Sequence, residues 1–143
     1  MILDSQNRFS DSQALTATAA STDSIDLGFD NNVGIGEPMS VVVFLETAAD
    51  DADADETYSV DLEADSVSGF GSAVVIATRA IPRGTASGEK FVLSVPADLS
   101  ADQFLRLNYT LGGTTPSVTV SAYLVPTKFV DNSVAYPVGY TIS

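Results

Sequence analysis

"SVTVSAYLV", residues 117 to 125, decides the fold class, because apolar side chains occupy alternate positions along it. A period of two directs one side of a strand toward a core and the other toward solvent. Similar alternation occurs in "ALTATA" (14–19), "SIDLG" (24–28) and "TYSVDLE" (57–63). These patterns predict β-strands, and no stretch shows a convincing helical period.

Denser apolar runs complete the set of predicted strands. They are "MSVVVFLE" (39–46), "SAVVIATRAI" (72–81), "KFVLSVP" (90–96) and "FLRLNYTL" (104–111). Clusters of Gly, Pro, Asn and Ser separate the runs and are typical of turns. Only "PADLSADQF" (96–104) has a capping pattern that fits a short helical turn. About eight strands in a chain of this length predict an all-β fold, an antiparallel β-sandwich or jelly roll.

Composition excludes several function classes. With no Cys and no His, the chain lacks the residues of Ser-His-Asp and Cys-His catalysis and of the usual zinc sites. We therefore expect neither an enzyme nor a cofactor. The net charge is −13, and residues 9 to 78 carry 14 Asp or Glu and no Lys or Arg. Such a surface repels nucleic acid and anionic lipid. No signal peptide or membrane-length apolar run is visible, so we expect a soluble protein that is not exported by the standard route.

The most acidic stretch is "AADDADADE" (48–56). Asp51, Asp53 and Asp55 alternate like the first ligands of an EF-hand, but Glu56 stands where the turn needs Gly, and Leu62 where a bidentate Glu is required. Charge runs are usually solvated, which favours an exposed hairpin tip. A weak calcium site and a carboxylate pair for glycoside cleavage remain open as alternatives.

The two ends of the chain carry a more specific signal. Residues 2 to 28 begin with separated apolar residues and continue with small residues that allow close backbone approach to another chain. A first strand with an irregular lead-in is the competing interpretation. Residues 128 to 143 form a predicted extended arm, in which Pro137 and Gly139 interrupt any regular strand.

The pattern "LD…FSD.QA.TATAAST..IDLG" over residues 3 to 28, with the closing "YPVGYTIS" (136–143), resembles the jelly-roll capsid cement, or decoration, proteins of tailed bacteriophages. Ser12 stands where Ala is more often expected, and the middle of the chain is similar only in strand rhythm and length. The resemblance implies one jelly-roll domain over residues 1–143. Its parts are an N-terminal arm (1–12), a sandwich (13–127) and a C-terminal arm (128–143).

The resemblance implies a non-enzymatic virion protein, assembled in the host cytoplasm, that stabilises an icosahedral head from its outer surface. Its partners are the major capsid protein, whose subunits it bridges, and itself: a homodimer is favoured, and a trimer stays open as the alternative. Extended arms add strands to sheet edges, and several footprints give avidity. The predicted contacts to the shell or a sister subunit are Ile2, Leu3, Phe9, Ala14, Leu15, Tyr136 and Tyr140. Packing inside the strand core is the competing explanation for each of them.

A different class of function is also compatible with this fold. Carbohydrate- and receptor-binding modules share the β-sandwich, and in this chain calcium at the acidic stretch would assist such binding. The discriminating feature is a platform of aromatic residues on one exposed face. The sequence supplies such residues poorly, since it contains no Trp.

Overall fold

Nine strands and their connections make up the part of this computed structural model that is described, residues 7–26, 39–96 and 103–128. The strands are β1 (Arg8–Leu15), β2 (Ala19–Ala20), β3 (Ile25–Asp26), β4 (Met39–Leu45), β5 (Thr57–Asp65), β6 (Val74–Ile81), β7 (Lys90–Ser94), β8 (Phe104–Gly112) and β9 (Val118–Pro126). Within those ranges no helix is long and apolar enough to cross a membrane.

The strands form two antiparallel sheets. Sheet 1 has the order β1-β9-β4-β7, and sheet 2 has the order β2-β8-β5-β6, with β3 also paired to β8. If β2 and β3 are counted as one interrupted strand, the first strand pairs with the eighth, the second with the seventh, the third with the sixth and the fourth with the fifth. A long hairpin rolled into two facing sheets gives this order, which is that of a jelly roll. The predicted fold class is confirmed.

Strand β5 shows how the sequence pattern produces the core. Tyr58, Val60, Leu62 and Ala64 point inward and are almost fully buried, while the residues between them are only partly buried. The inward side chains of both sheets form one continuous hydrophobic cluster. Each fully buried Val or Leu side chain contributes roughly 1.5–3 kcal/mol, so this cluster is the main source of stability.

Strand β4 is apolar on both faces, which explains why its sequence does not alternate. Val41, Val43 and Leu45 belong to the core between the sheets. On the other face, Val42 and Phe44 pack with Val125 and Tyr123 in a second cluster, where the Phe44 and Tyr123 rings meet edge to face at 6.4 Å. A central strand of this kind tolerates a continuous apolar run because neither face is left to solvent.

The N-terminal part departs most from the sequence prediction. One strand is predicted over residues 14–19, whereas the structure has β1 at 8–15, a connection at 16–18, and β2 at 19–20. The register of β1 against β9 shifts twice, on either side of Ser10, and each shift inserts an extra residue into β1. Such bulges disrupt the period of two that reveals a strand in a sequence, so "RFSDSQAL" does not look like one.

Other predictions fall on residues that the structure does not describe. The helical turn predicted over 96–104 falls mostly in the gap at 97–102, and nearly all of the C-terminal arm (128–143) lies outside the described ranges. In the N-terminal arm (1–12), residues 8 to 12 belong to β1 and therefore to the sandwich.

Candidate functional site

An open groove of about 470 Å³ lies at one end of the sandwich, where β1 ends, β9 begins and the connection between β4 and β5 passes. We call this the acidic end, because that connection contains the acidic loop, residues 50–56. Small aliphatic and hydroxyl side chains line most of the groove, among them Ala14, Thr16, Thr47, Ala48, Val118 and Thr119. Asp50 and Asp51 add negative charge to one side of it.

Hydrogen bonds hold the groove walls in one arrangement. The Glu46 amide donates to the Thr119 carbonyl at 2.8 Å, and the Thr119 amide donates to Thr47 Oγ1 at 2.9 Å. The Asp50 amide donates to the Ser117 carbonyl at 3.0 Å, and the Tyr58 hydroxyl donates to the Asp50 carbonyl at 3.0 Å. Burial raises the pKa of Tyr58, which keeps that donor protonated. The groove is therefore a preformed surface.

The acidic loop is tied to its neighbours through its own side chains. Asp51 makes an ion pair with Arg83 at 2.8 Å. The Asp55 carboxylate accepts hydrogen bonds from the amide and the hydroxyl of Thr114, both at 2.9 Å. These bonds hold the pKa of Asp55 below its ordinary value, because they stabilise the ionised form. Three connections, 46–56, 82–89 and 113–117, are thereby joined.

Glu56 organises the acidic loop from inside. Its side chain is 1% exposed, and its two carboxylate oxygens accept the amides of Asp53 at 2.9 Å and Asp55 at 3.2 Å. Opposite it, Gly113 adopts a φ of +93°, and a Cβ there would lie 2.5 Å from the Asp55 carbonyl oxygen. The buried carboxylate therefore stabilises the backbone conformation of the acidic loop.

The calcium interpretation of this loop finds no assembled ligand set. Within the described ranges, no three carboxylates are grouped in a way that could hold a metal ion. The carboxylates of Asp51, Asp55 and Glu56 are engaged with Arg83, Thr114 and backbone amides respectively. The geometry accounts for the acidic loop as a structural connection at the edge of the groove.

Ser12 lies in a bulge of β1 and adopts a left-handed φ of 47°. Its amide donates to Ser121 Oγ at 2.9 Å, while the hydroxyls of Ser12 and Ser121 each donate to the Glu46 carboxylate. These bonds offset the cost of a left-handed backbone at a residue other than glycine. Ala at this position, as the capsid cement resemblance leads one to expect, would lose the bond to Glu46.

The predicted contact residues fall into three groups. Phe9 and Leu15 are 0% and 3% exposed and belong to the core between the sheets. For these two residues, the competing explanation, packing in the strand core, describes their position in the structure. Ala14 is exposed and lines the groove. Ile2, Leu3, Tyr136 and Tyr140 lie outside the described residues.

Sequence reasoning missed the rest of the groove. Thr47, Ala48 and Thr119 are too small to suggest a binding surface by composition. The available signal was "TAA" (47–49), a run of small residues that comes shortly after a strongly apolar strand. Only the pairing of β1 with β9 brings this run beside Ala14.

Comparisons with known proteins complement this geometry. A family model described as Bbp16, a phage-associated name, matches residues 9–124. Among solved structures, "Crystal structure of PirA" matches with a TM-score of 0.45 and 13% sequence identity, covering 79% of this chain and 92% of that chain. No curated protein sequence matches the chain significantly.

Proposed function

This chain belongs to the Bbp16 family, and we propose that it is a non-enzymatic cement protein of a tailed-phage capsid. In this proposal it binds the outer surface of the icosahedral head and bridges subunits of the major capsid protein. It acts there as a small homo-oligomer, for which the resemblance favours a dimer and leaves a trimer open. The observation that carries the proposal is the family match over residues 9–124, which contains most of the N-terminal pattern that resembles cement proteins.

The groove supports a contact with another polypeptide. Ala14 and its neighbours in the groove have short side chains, and a groove of this kind accommodates an extended segment more readily than a bulky ligand. Hydrogen bonds already fix the walls of the groove. Binding therefore costs little conformational entropy in the groove itself. We propose that this groove is one footprint on the shell.

Avidity explains how modest footprints hold a shell together. When one footprint is bound, the second contact becomes intramolecular, and the overall affinity exceeds either contact without any new interaction. The sandwich keeps such footprints at a fixed separation, because its connections at the acidic end are held by the bonds of Glu56 and Asp55. A rigid spacer of this kind suits a protein that bridges two capsid subunits.

The test is co-sedimentation of the purified protein with heads of its own phage that lack it. Ala14→Arg fills the groove from an exposed position, and Thr110→Arg places the same charge on an exposed position of β8 as the matched control. Deletions of 1–6 and of 129–143 test the ends without cutting into β1 or β9. Each mixture is run with and without EDTA.

We expect the wild-type protein to bind heads saturably, with an affinity that EDTA does not change. The affinity should be at least about tenfold lower for Ala14→Arg and unchanged for Thr110→Arg. Absence of binding by the folded wild-type protein would contradict the proposed function. If both arginine variants bind heads with equal affinity, the groove is not a contact with the shell. Binding that requires calcium would instead favour the carbohydrate- or receptor-binding alternative.

A further inference from the structure

The outer face of sheet 1, which is turned away from sheet 2, is closed to solvent. Val42 and Val125 lie on this face, and each is 0% exposed in the single chain. Among the described residues, the buried cluster to which they belong contains only side chains of β4 and β9. Side chains on an uncovered face of a sheet stand out into solvent. Their complete burial therefore indicates that another part of the same chain covers them.

Neighbouring side chains within sheet 1 do not account for this burial. Val125 is paired with Ser40 of β4, and a serine is too small to enclose a valine. On the other side of β9, strand β1 begins at Arg8, opposite Tyr123, so that no described strand lies beside Val125. Ser40 itself is 2% exposed. The cover of this face is therefore expected outside the described ranges.

The covered area is narrow and follows β4 and β9. On the neighbouring edge strand β7, Ser94 is paired with Ser40 but is exposed, and Val92 is paired with Val42 but is only partly buried. Exposure thus rises within one or two strands of the cluster. Neighbouring strands are about 4.8 Å apart, so the cover has about the width of one extended chain rather than that of a sheet.

Strand β9 directs the C-terminal segment (129–143) toward this face. The Thr127 Oγ1 and Ser40 Oγ atoms are 2.8 Å apart, and residues 127–128 form a turn instead of continuing the strand. The segment that follows contains 15 residues and can extend over about 50 Å at about 3.3 Å per residue. The distance along β4 from Ser40 to Phe44 is only about 13 Å on the same basis, so the segment is long enough to cover it.

The sequence of this segment has one apolar side. In "VAYPVGYTI" (134–142), every second residue is large and apolar, and the residues between them are small or proline: the large ones are Val134, Tyr136, Val138, Tyr140 and Ile142. An extended chain with this period directs all of them to one side. Pro137 cannot contribute an amide to a central strand, but packing on side chains requires none. Residues 129–143 contain one acidic residue and no basic one, so that burying their apolar side desolvates little charge.

The other segments outside the described ranges match this face less well. Residues 27–38 connect β3 of sheet 2 to β4 of sheet 1, and they contain two acidic residues and three glycines. Residues 1–6 precede β1, which β9 separates from β4. Residues 97–102 contain a single large apolar residue, Leu99. The C-terminal segment combines position, length and pattern.

We propose that residues 129–143 fold back as an extended strap across the outer face of sheet 1 of their own chain. The alternating apolar side chains of the strap pack on Val42, Phe44 and Val125, and they keep this apolar face from unwanted association. Tyr136 and Tyr140, which the sequence predicted as contacts with the shell or a sister subunit, then stabilise their own sandwich. This inference does not depend on the proposed function.

Single cysteines test the strap, because the chain contains no Cys of its own. Val42→Cys and Val43→Cys change adjacent residues of β4 that are both 0% exposed, but Val43 faces the core between the sheets. The rate at which iodoacetamide modifies each thiol is measured in three full-length backgrounds. One is the wild type. The strap variant carries Val134→Ser, Tyr136→Ser, Val138→Ser and Tyr140→Ser. The matched loop variant carries Leu27→Ser, Phe29→Ser, Val33→Ser and Ile35→Ser.

We expect the thiol at position 42 to react at least about tenfold faster in the strap variant and at the wild-type rate in the loop variant. The thiol at position 43 should stay protected. The ratio of the two rates isolates the cover, because unfolding of the sandwich exposes both positions. Tyr140→Ser alone should also raise this ratio, which keeps the test independent of whether the fourfold variant folds.

Three results overturn the inference. The first is a ratio that neither strap substitution raises. The second is a ratio that rises only in the loop variant, which assigns the cover to residues 27–38. The third is protection of position 42 that increases with protein concentration between about 1 and 100 µM, because a cover supplied by a sister copy depends on association whereas a strap of the same chain does not.

Discussion

Gly113 offers the sharpest test of how the acidic end is held together. It follows β8 with a φ of +93°, and a Cβ there would lie 2.5 Å from the Asp55 carbonyl oxygen and 2.7 Å from the Glu56 Cα. Both are backbone atoms of the loop that the Glu56 carboxylate fixes. Gly113→Ala therefore cannot be accommodated by rotation of a side chain, and the loop itself must move.

Two costs add in Gly113→Ala. A left-handed backbone costs an L-residue roughly 1–2 kcal/mol, and forcing a methyl group into a packed region costs about 1–3 kcal/mol. The sum is about 2–5 kcal/mol, a large fraction of the roughly 5–15 kcal/mol that stabilises a typical domain. In urea, an m-value of about 2 kcal/mol/M converts this loss into a midpoint lower by about 1–2.5 M.

Two other glycines separate these costs. Gly88 has a φ of +88° with nothing within 4 Å of the added Cβ, and Gly71 has open space without a left-handed φ. Gly88→Ala should lose only the backbone cost of roughly 1–2 kcal/mol, and Gly71→Ala should stay within about 1 kcal/mol of the wild type. The assay is urea unfolding followed by tyrosine fluorescence. If Gly113→Ala is no less stable than Gly88→Ala, the close contact with the acidic loop is refuted.

Three further predictions concern buried or hydrogen-bonded polar groups. The hydrogen bonds from Thr114 hold the folded pKa of Asp55 below its ordinary value, so its stabilisation is present above that ordinary value and is lost as pH falls through the folded pKa. Asp55→Asn should therefore show a smaller drop in Tm between pH 7 and about pH 2, and an unchanged drop would contradict this. Ser10→Ala removes the hydroxyl that lies 2.7 Å from the buried Tyr109 hydroxyl and should lower the free energy of unfolding in urea by about 1–3 kcal/mol, because the Tyr109 hydroxyl is left buried without this partner. Tyr109→Phe removes the hydroxyl itself and should cost less, about 0.5–1.5 kcal/mol. If Tyr109→Phe costs more than Ser10→Ala, the pairing of the two hydroxyls is refuted. Glu56→Gln replaces one carboxylate oxygen with an NH₂ group, which cannot accept a hydrogen bond from the Asp53 or Asp55 amide. It should therefore lower the free energy of unfolding by about 1–3 kcal/mol in the same assay. An unchanged free energy of unfolding would contradict these two hydrogen bonds.

The sequence predicts the sandwich well where local pattern and tertiary environment agree. Strands β4 to β9 were each found within a few residues of a predicted run, because an alternating or continuously apolar run shows directly whether one face or both are buried. Strand order is not visible in such a pattern. The pairing of β1 with β9 joins residues more than one hundred positions apart, and only the packed structure determines it.

The candidate sites were harder to predict because the residues that form them are inconspicuous. Phe9 stands among polar residues, which suggests an exposed anchor, yet the bulges of β1 turn it into the core, where it is 0% exposed. Ala14 was predicted as a contact, but the groove beside it exists only because β1, β9 and the connection after β4 meet. The acidic stretch drew attention by composition, while its role in the structure depends on Thr114 and Gly113.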